Sequence, residues 1–447
     1  MTWSNRNQNN TTNYQHPNES NLWELHKAMG YDPQGNPIIR IDDTSLQHTS
    51  KDRAKVSGYE IVFFNTFQFD KEDDVWDEFT TAGGTSTHDP NARECHLIVD
   101  GSIPGAKVIR QTKNVQRYIP GRTTEASFAV VFGHNEDPGI VKRFGVYDEN
   151  NGLFVEVIGN TIALVIRSDA NGSIVEKRIP QAEWNQDVLN GTGRTGITLN
   201  LAMRQIILFE YEWYGAGVAE LKFVIDDHAV SAHKEYHANR QELPWTGTPF
   251  VPLRCEIENV SSTSGSHHLH QGSNSVLLEG ETSKLGIAAS VGSPITGTTM
   301  QSANTWYPIL SIRLNPERLN GIVLPSFFQV ATIDNTNLFY RLVRNATIGA
   351  DAGNSAWTVV PDSGSTFTEF QTYNTPAAIA EVNQGSRLDT GFIVSGGGGA
   401  GVRLDRDTVY QLGRSNLGTT SDVFTILVAS SGANKSAIAS MTWTEQR

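Results

Sequence analysis

Two stretches hold residues whose types and spacing suit chemistry. In "FEYEWYGAGVAELKFVIDD" (residues 209–227), Glu210 and Glu212 stand two positions apart. On a strand this puts both carboxylates on one face about 6–7 Å apart, within the separations that sugar-cleaving carboxylate pairs use. The stretches "DDHAVSAHKEYHANR" and "HHLH" hold Asp226, Asp227, His228, His233, His237, His267, His268 and His270, ligand types that suit a transition metal. Each set also has a plainer reading. Charges commonly line the solvent side of a strand, and histidines near turns commonly lie at the surface. A zinc protease needs its glutamate directly after the first of two histidines on one helix, whereas His233-Lys-Glu-Tyr-His237 misplaces it on a strand-like segment. At "HHLH" the ligand types alone allow no more than an adventitious ion. The run "SGGGGAGVRLD" (395–405) lacks the Lys-Ser/Thr that follows a phosphate cradle, and reads as a flexible loop. With no nucleophile elbow, kinase set or Cys/His pairing, the expectation is a non-enzyme with no catalytic residue, metal or cofactor.

The elements that would position these residues are strands. Alternation sends Phe209, Tyr211 and Trp213 to one face, read as core, and Glu210, Glu212 and Tyr214 to the other, read as hydrated. Gly215 and Gly217 supply a turn, and Leu221, Phe223 and Ile225 mark the return strand of a hairpin. The stretch "VKRFGVYDENNGLFVEVIGNTIALVIRSDANGSIVEKRI" carries three turn signals between four strands, an antiparallel meander. The chain is therefore expected to be mainly β, with two jelly-roll-like β-sandwiches over 106–295 and 296–447. A β-rich segment (46–105) joins them to the N-terminus, "VSSTSGSHHLHQGSNS" (260–275) reads as a loop, and a linker is placed around 291–305. Residues 1–45 read as a flexible arm with one short helix. Ser20 or Asn21 caps it, and Gly30 with Pro33 ends it. Leu22, Trp23, Leu25 and Met29 are its candidate docking residues for a partner or for the body.

Composition limits the partners. The chain has 447 residues and a net charge of -13, which disfavours a nucleic-acid surface because phosphate binding needs clustered cations. No run approaches the roughly 20 apolar residues that a bilayer span requires. The start, "MTWSNRNQNN", has neither the basic residues nor the apolar run of a secretory signal. Cys95 and Cys255 lie far apart without metal or redox spacing, so both are expected to be reduced and buried.

Five blocks, "RYIPGRTTEASFAVVFG", "VKRFGVYDENNGLFVEV", "LNGTGRTGITLNLAMRQIILFEYEWYGAGVAELKFVID", "PFVPLRCEIEN" and "WYPILSIRL", occur in an order that resembles a family of virion structural proteins of tailed bacteriophages. The resemblance covers roughly residues 106–330. It implies a virion protein, used as a capsid decoration, fibre or tail-associated component. Its partners would be other virion proteins and further copies of itself. The middle domain also resembles a concanavalin-type jelly roll, a superfamily in which many members bind carbohydrate, although no calcium-and-Asn lectin loop can be matched. The alternative function is accordingly a receptor- or glycan-binding adhesin for a host surface glycan. Tyr211, Trp213, Tyr214 and Trp245 are its candidate stacking residues, with the core as the competing place for Tyr211 and Trp213.

Overall fold

The computed structural model describes residues 29–31, 37–39, 58–133, 137–280, 286–349, 355–360, 367–395, 399–403 and 410–446. The chain divides into two units, Met1–Val56 and Ser57–Arg447. In the first, β1 (Met29–Tyr31) pairs antiparallel with β2 (Pro37–Ile39). Met29 therefore opens a strand instead of closing a helix. Gly30 weakens a helical turn, while Tyr31 and the two isoleucines of the partner favour a pleated pair. Leu22, Trp23 and Leu25 lie outside the described residues.

The second unit begins with a sandwich of two antiparallel sheets. The seven-stranded sheet runs β12 (Val175–Pro180), β11 (Thr161–Ser168), β10 (Gly152–Ile158), β9 (Ile140–Tyr147), β16 (Leu253–Asn259), β7 (Lys107–Thr112), β4 (Trp76–Thr80). The eight-stranded sheet runs β15 (His228–Glu235), β14 (Ala219–Ile225), β13 (Gln205–Tyr211), β8 (Thr124–Val131), β17 (Ser266–Glu279), β6 (Glu94–Asp100), β5 (Gly84–Asp89), with β3 (Tyr59–Asn65) also paired to β17. Alternation explains the core: Ala126, Phe128 and Val130 of β8 point inward while Glu125, Ser127 and Ala129 point out. Phe128 meets Phe144 of the opposite sheet edge-to-face at 4.7 Å, a geometry worth more than its area alone. The meander forms as β9–β12, and the hairpin as β13–β14 with Tyr211 opposite Ala219.

Two expectations fail in this sandwich. Residues 46–105 are no mere joint, because β3–β6 belong to both of its sheets. The polar run 260–275 is mostly strand, since β17 begins at Ser266. Its outward positions His268, His270 and Ser275 are polar while Leu269, Val276 and Leu278 fill the core, and a bulge between Gln271 and Asn274 interrupts the alternation that would have revealed it.

The second sandwich has its own core. Its five-stranded sheet is β18 (Ile287–Gly292), β30 (Lys435–Gln446), β21 (Ile322–Thr332) and β26 (Gly399–Arg403), with β19 (Thr298–Met300) beside β30. The facing sheet is β23 (Thr358–Val359), β24 (Thr368–Thr372), β20 (Tyr307–Leu314), β29 (Val423–Ser430), β22 (Leu338–Arg344) and β25 (Ser386–Ile393), and β27 (Arg414–Ser415) pairs β28 (Thr420–Ser421). Because β18 and β19 both join β30, the second sandwich starts before the linker expected at 291–305. Half of the glycine-rich run is also strand, with Gly399–Arg403 opposite Phe327–Ala331. Glycines lack the β-branched signature of strands, so the sequence alone suggests a loop there.

A buried seam joins the sandwiches. Val115 packs with Ile322, Leu324 and Phe250. Gln411 Nε2 donates to the Val115 carbonyl at 3.2 Å, and the Arg414 amide to the Lys113 carbonyl at 2.8 Å.

Candidate functional site on the outer face of the eight-stranded sheet

The expected carboxylate pair sits on β13 and just beyond it, on the sheet face turned away from the core. Phe209 and Tyr211 are core residues, as alternation requires. Glu210 and Glu212, however, are not hydrated: they are only 5% and 1% exposed. The cross-strand partners of Glu210 are Glu125 on β8 and Glu220 on β14. Lys222 Nζ enters this acidic row, 2.6 Å from Glu210 Oε2 and 3.5 Å from Glu220 Oε2, and Lys234 Nζ reaches Glu220 at 3.5 Å. Glu212 Oε1 accepts from Thr123 Oγ1 at 3.3 Å. Burying a carboxylate is costly unless it is paired, and the pairing of Glu210 with Lys222 is internal to the sheet.

The stacking candidates part company. Trp245 is 6% exposed, lies flat against His237 at 5.1 Å and meets Tyr211 edge-on at 6.3 Å, so it is a core residue and offers no stacking surface. Burial raises the Tyr211 hydroxyl well above its usual range. Trp213 packs against the core, donating from Nε1 to the Thr246 carbonyl at 3.1 Å. Tyr214 alone of the four is exposed, at 43%, on the turn between β13 and β14. Its amide donates to the Tyr118 hydroxyl at 3.0 Å, and its φ of 41° turns the chain.

The histidines also divide. His233 and His237 are buried rather than superficial: Asn185 N–H donates to His233 Nδ1 at 3.3 Å, and His237 Nδ1 lies 2.6 Å from the Gly217 carbonyl. Exposed His228 stands at the β14–β15 turn. "HHLH" lies on β17, where His268 and His270 share the outer face.

Register places His270 directly opposite His96 of β6, and the two rings stack at 3.9 Å with 17° between their planes. Glu94, two residues before His96, joins them on the same face. Its Oε1 lies 2.8 Å from His96 Nε2 and 3.0 Å from His270 Nδ1, while Oε2 accepts from Arg204 at 2.5 Å. Asp89 closes the β5–β6 turn with Oδ1, which accepts the amides of Asn91 and Ala92 at 2.8 and 3.0 Å. Its Oδ2 lies 3.9 Å from His96 Nε2. The ring of His268 stands edge-on to His270 at 6.1 Å. Burial and the neighbouring His96 hold His270 below the usual imidazole range against the pull of Glu94. Burial raises the Glu94 carboxyl, but its bonds to His96 and Arg204 bring it below its ordinary value.

Glu94, His96 and Asp89 escaped sequence reading because they meet His270 only through strand pairing. The available signal was the two same-face pairs, Glu94/His96 and His268/His270, each spaced by two on alternating segments.

No family model matches the chain, and no curated protein matches it. Among solved structures it is similar to an endo-1,3-β-glucanase from Streptomyces sioyaensis, at 10% identity and a TM-score of 0.36, over 51% of this chain and 99% of that one. A protein of unknown function from Shewanella oneidensis is similar at 8% identity and a TM-score of 0.35, over 57% of this chain and 98% of its own. A legume lectin-like domain from Entamoeba histolytica is similar at 8% identity and a TM-score of 0.28, over 48% and 96%.

Proposed function

We propose that this protein is a non-enzymatic structural component of a tailed-phage particle, assembled on it as a capsid decoration, fibre or tail-associated part. The observation that carries the non-enzymatic reading is the Glu210–Lys222 pair, 2.6 Å apart with both side chains almost wholly buried. A glycosidase keeps its two carboxyl groups facing a sugar; here the Glu210 carboxylate is taken up by a lysine of its own sheet. The ordered resemblance of the five sequence blocks supplies the particle. A contact surface suited to a neighbouring virion protein lies on β3, whose only partner among the described strands is β17. Tyr59, Ile61 and Phe64 there are 42%, 60% and 68% exposed, without the lysines that usually blunt a sheet edge.

Electron microscopy of purified particles labelled with a Fab against residues 301–447 tests this. Label spread over the shell gives a decoration or head fibre, and label confined to the tail gives a tail component. Particles that carry no label and no copy of the chain would remove the proposal.

Tyr214 favours a second reading, glycan binding by an adhesin. It is exposed on a fixed turn, and Tyr236, after β15, is 39% exposed. A host-glycan array probed with wild type and Tyr214→Ala tests it: binding lost with the ring supports the adhesin, and no binding by wild type removes it.

A further inference from the structure

We infer that Glu94, His96 and His270 form a binding site for one divalent transition ion, with Zn2+ the natural probe. One ligand atom from each residue, two imidazole nitrogens and a carboxylate oxygen, converges so that all lie within 4.8 Å of one another. This donor set suits the borderline ions of the first transition row and is poor for Ca2+ or Mg2+, which prefer all-oxygen shells.

The positioning is built into the sheet. The direct pairing of His96 with His270 and the two-residue step from Glu94 to His96 fix the three side chains on one face of two adjacent strands. The bulge after Gln271 lies immediately beside them, a place where sheets commonly re-aim side chains. Arg204 holds the second oxygen of Glu94 and so orients the first toward the imidazoles, as outer partners do in metal sites. The carboxylate is 4% exposed and the imidazoles 20% and 28%, so the ligands are sheltered while an ion has a path from water. A neutral imidazole carries its proton on either nitrogen. Moving it to His96 Nδ1 and His270 Nε2 would turn both lone pairs toward the point that Glu94 Oε1 now faces. Asp89 Oδ2, 3.9 Å from His96 Nε2, or a water can complete the shell. Such an ion would clasp β6 to β17.

The test is calorimetric titration of the untagged, chelator-treated full chain with Zn2+. The expected result is one ion per chain, with affinity falling about a hundredfold or vanishing in His96→Ala and in His270→Ala, while His228→Ala, at an exposed turn, binds like wild type. Wild type should also melt at a higher temperature with Zn2+ than without, because the ion binds only the folded chain. Should either alanine variant fail to fold, saturating wild type with Co2+ decides: intense visible bands of a four- or five-coordinate ion, abolished by Zn2+, support the site. Absence of saturable binding, unchanged affinity in the folded histidine variants, or a Co2+ spectrum no different from the free aquo ion overturns it.

Discussion

Lys222 is the cation on which a row of carboxylates depends. Removing it leaves Glu210 and Glu220 facing each other and Glu125 across adjacent strands, with little water to screen them. Lys222→Met should therefore cost about 3 kcal/mol in urea unfolding, the lower end for breaking a buried pair. A loss below about 1 kcal/mol would mean that the row is neutralised in another way. Lys142 presents the opposite case. It is 1% exposed on the core side of β9, donates to the Phe132 carbonyl and has no carboxylate partner among the described residues, so burial lowers its ammonium to about 8. Its folded value lies below the unfolded 10.5, so the unfolded chain holds more protons between these two pH values, and stability rises with pH across that window. Below pH 8 the burial of the charge costs about 3 kcal/mol by linkage, which offsets part of what the surrounding core contributes. Lys142→Met should be the more stable protein at pH 7, with the gap narrowing as pH climbs toward 10.5. Parallel stability profiles of the two proteins would contradict this.

At the scale of elements, the outer face of the seven-stranded sheet is a ladder of charges. Lys107 and Arg143 meet Glu256 at 3.0 and 2.6 Å, Arg143 and Arg178 meet Glu156 at 2.9 and 2.7 Å, and Arg254 also holds Glu256 at 2.7 Å. Burial pushes the Glu256 carboxyl up, but Arg254, Arg143 and Lys107 together pull it down to about 2. Its folded value lies below its unfolded 4.5, so its contribution is present above pH 4.5 and is lost as pH falls toward 2. Glu256→Gln should destabilise the protein at pH 7 and flatten its acid unfolding profile in that window. A variant with an unchanged acid midpoint would argue against the ladder. On the same face Gly145 lies opposite Phe154, and a β-carbon on it would come within 2.3 Å of the Leu153 carbonyl. Gly145→Ala should thus loosen β9 from β10, read as faster amide exchange along Val141–Tyr147.

Most of these strands were legible in the sequence. In β8 alternation marks the strand, and in β10 and β11 short apolar runs bounded by turn residues do so, from which the meander follows. Burial of Glu210 was not legible, because alternation assigns faces without revealing whether a charged face acquires a partner. Nor was the Glu94–His96–His270 group, since the pairing of β6 with β17 joins segments far apart in sequence and is set by the packing of the whole sandwich. The β17 bulge and the glycines of β26 concealed strands for a simpler reason: each breaks the period that identifies one.

Across the whole molecule, the seam makes the two sandwiches one body. Val115, Ile322 and Leu324 exclude water between them, and the Leu417 amide donates to Asp77 Oδ2 at 2.5 Å. Calorimetry should give a single transition for the second unit, and Ile322→Asp, which places a charge in this seam, should split it in two. Two transitions in the wild type would show that the cores melt independently. The pair of thiols offers a different view of the same body. Cys95 belongs to one sheet of the first sandwich and Cys255 to the other; both are fully buried, and burial raises Cys95 to about 11 and Cys255 well above the ordinary thiol value. Alkylating reagents attack thiolates, so the folded chain should ignore them, and with only two cysteines in the sequence the mass of trapped adduct becomes a clock for the parting of those two sheets.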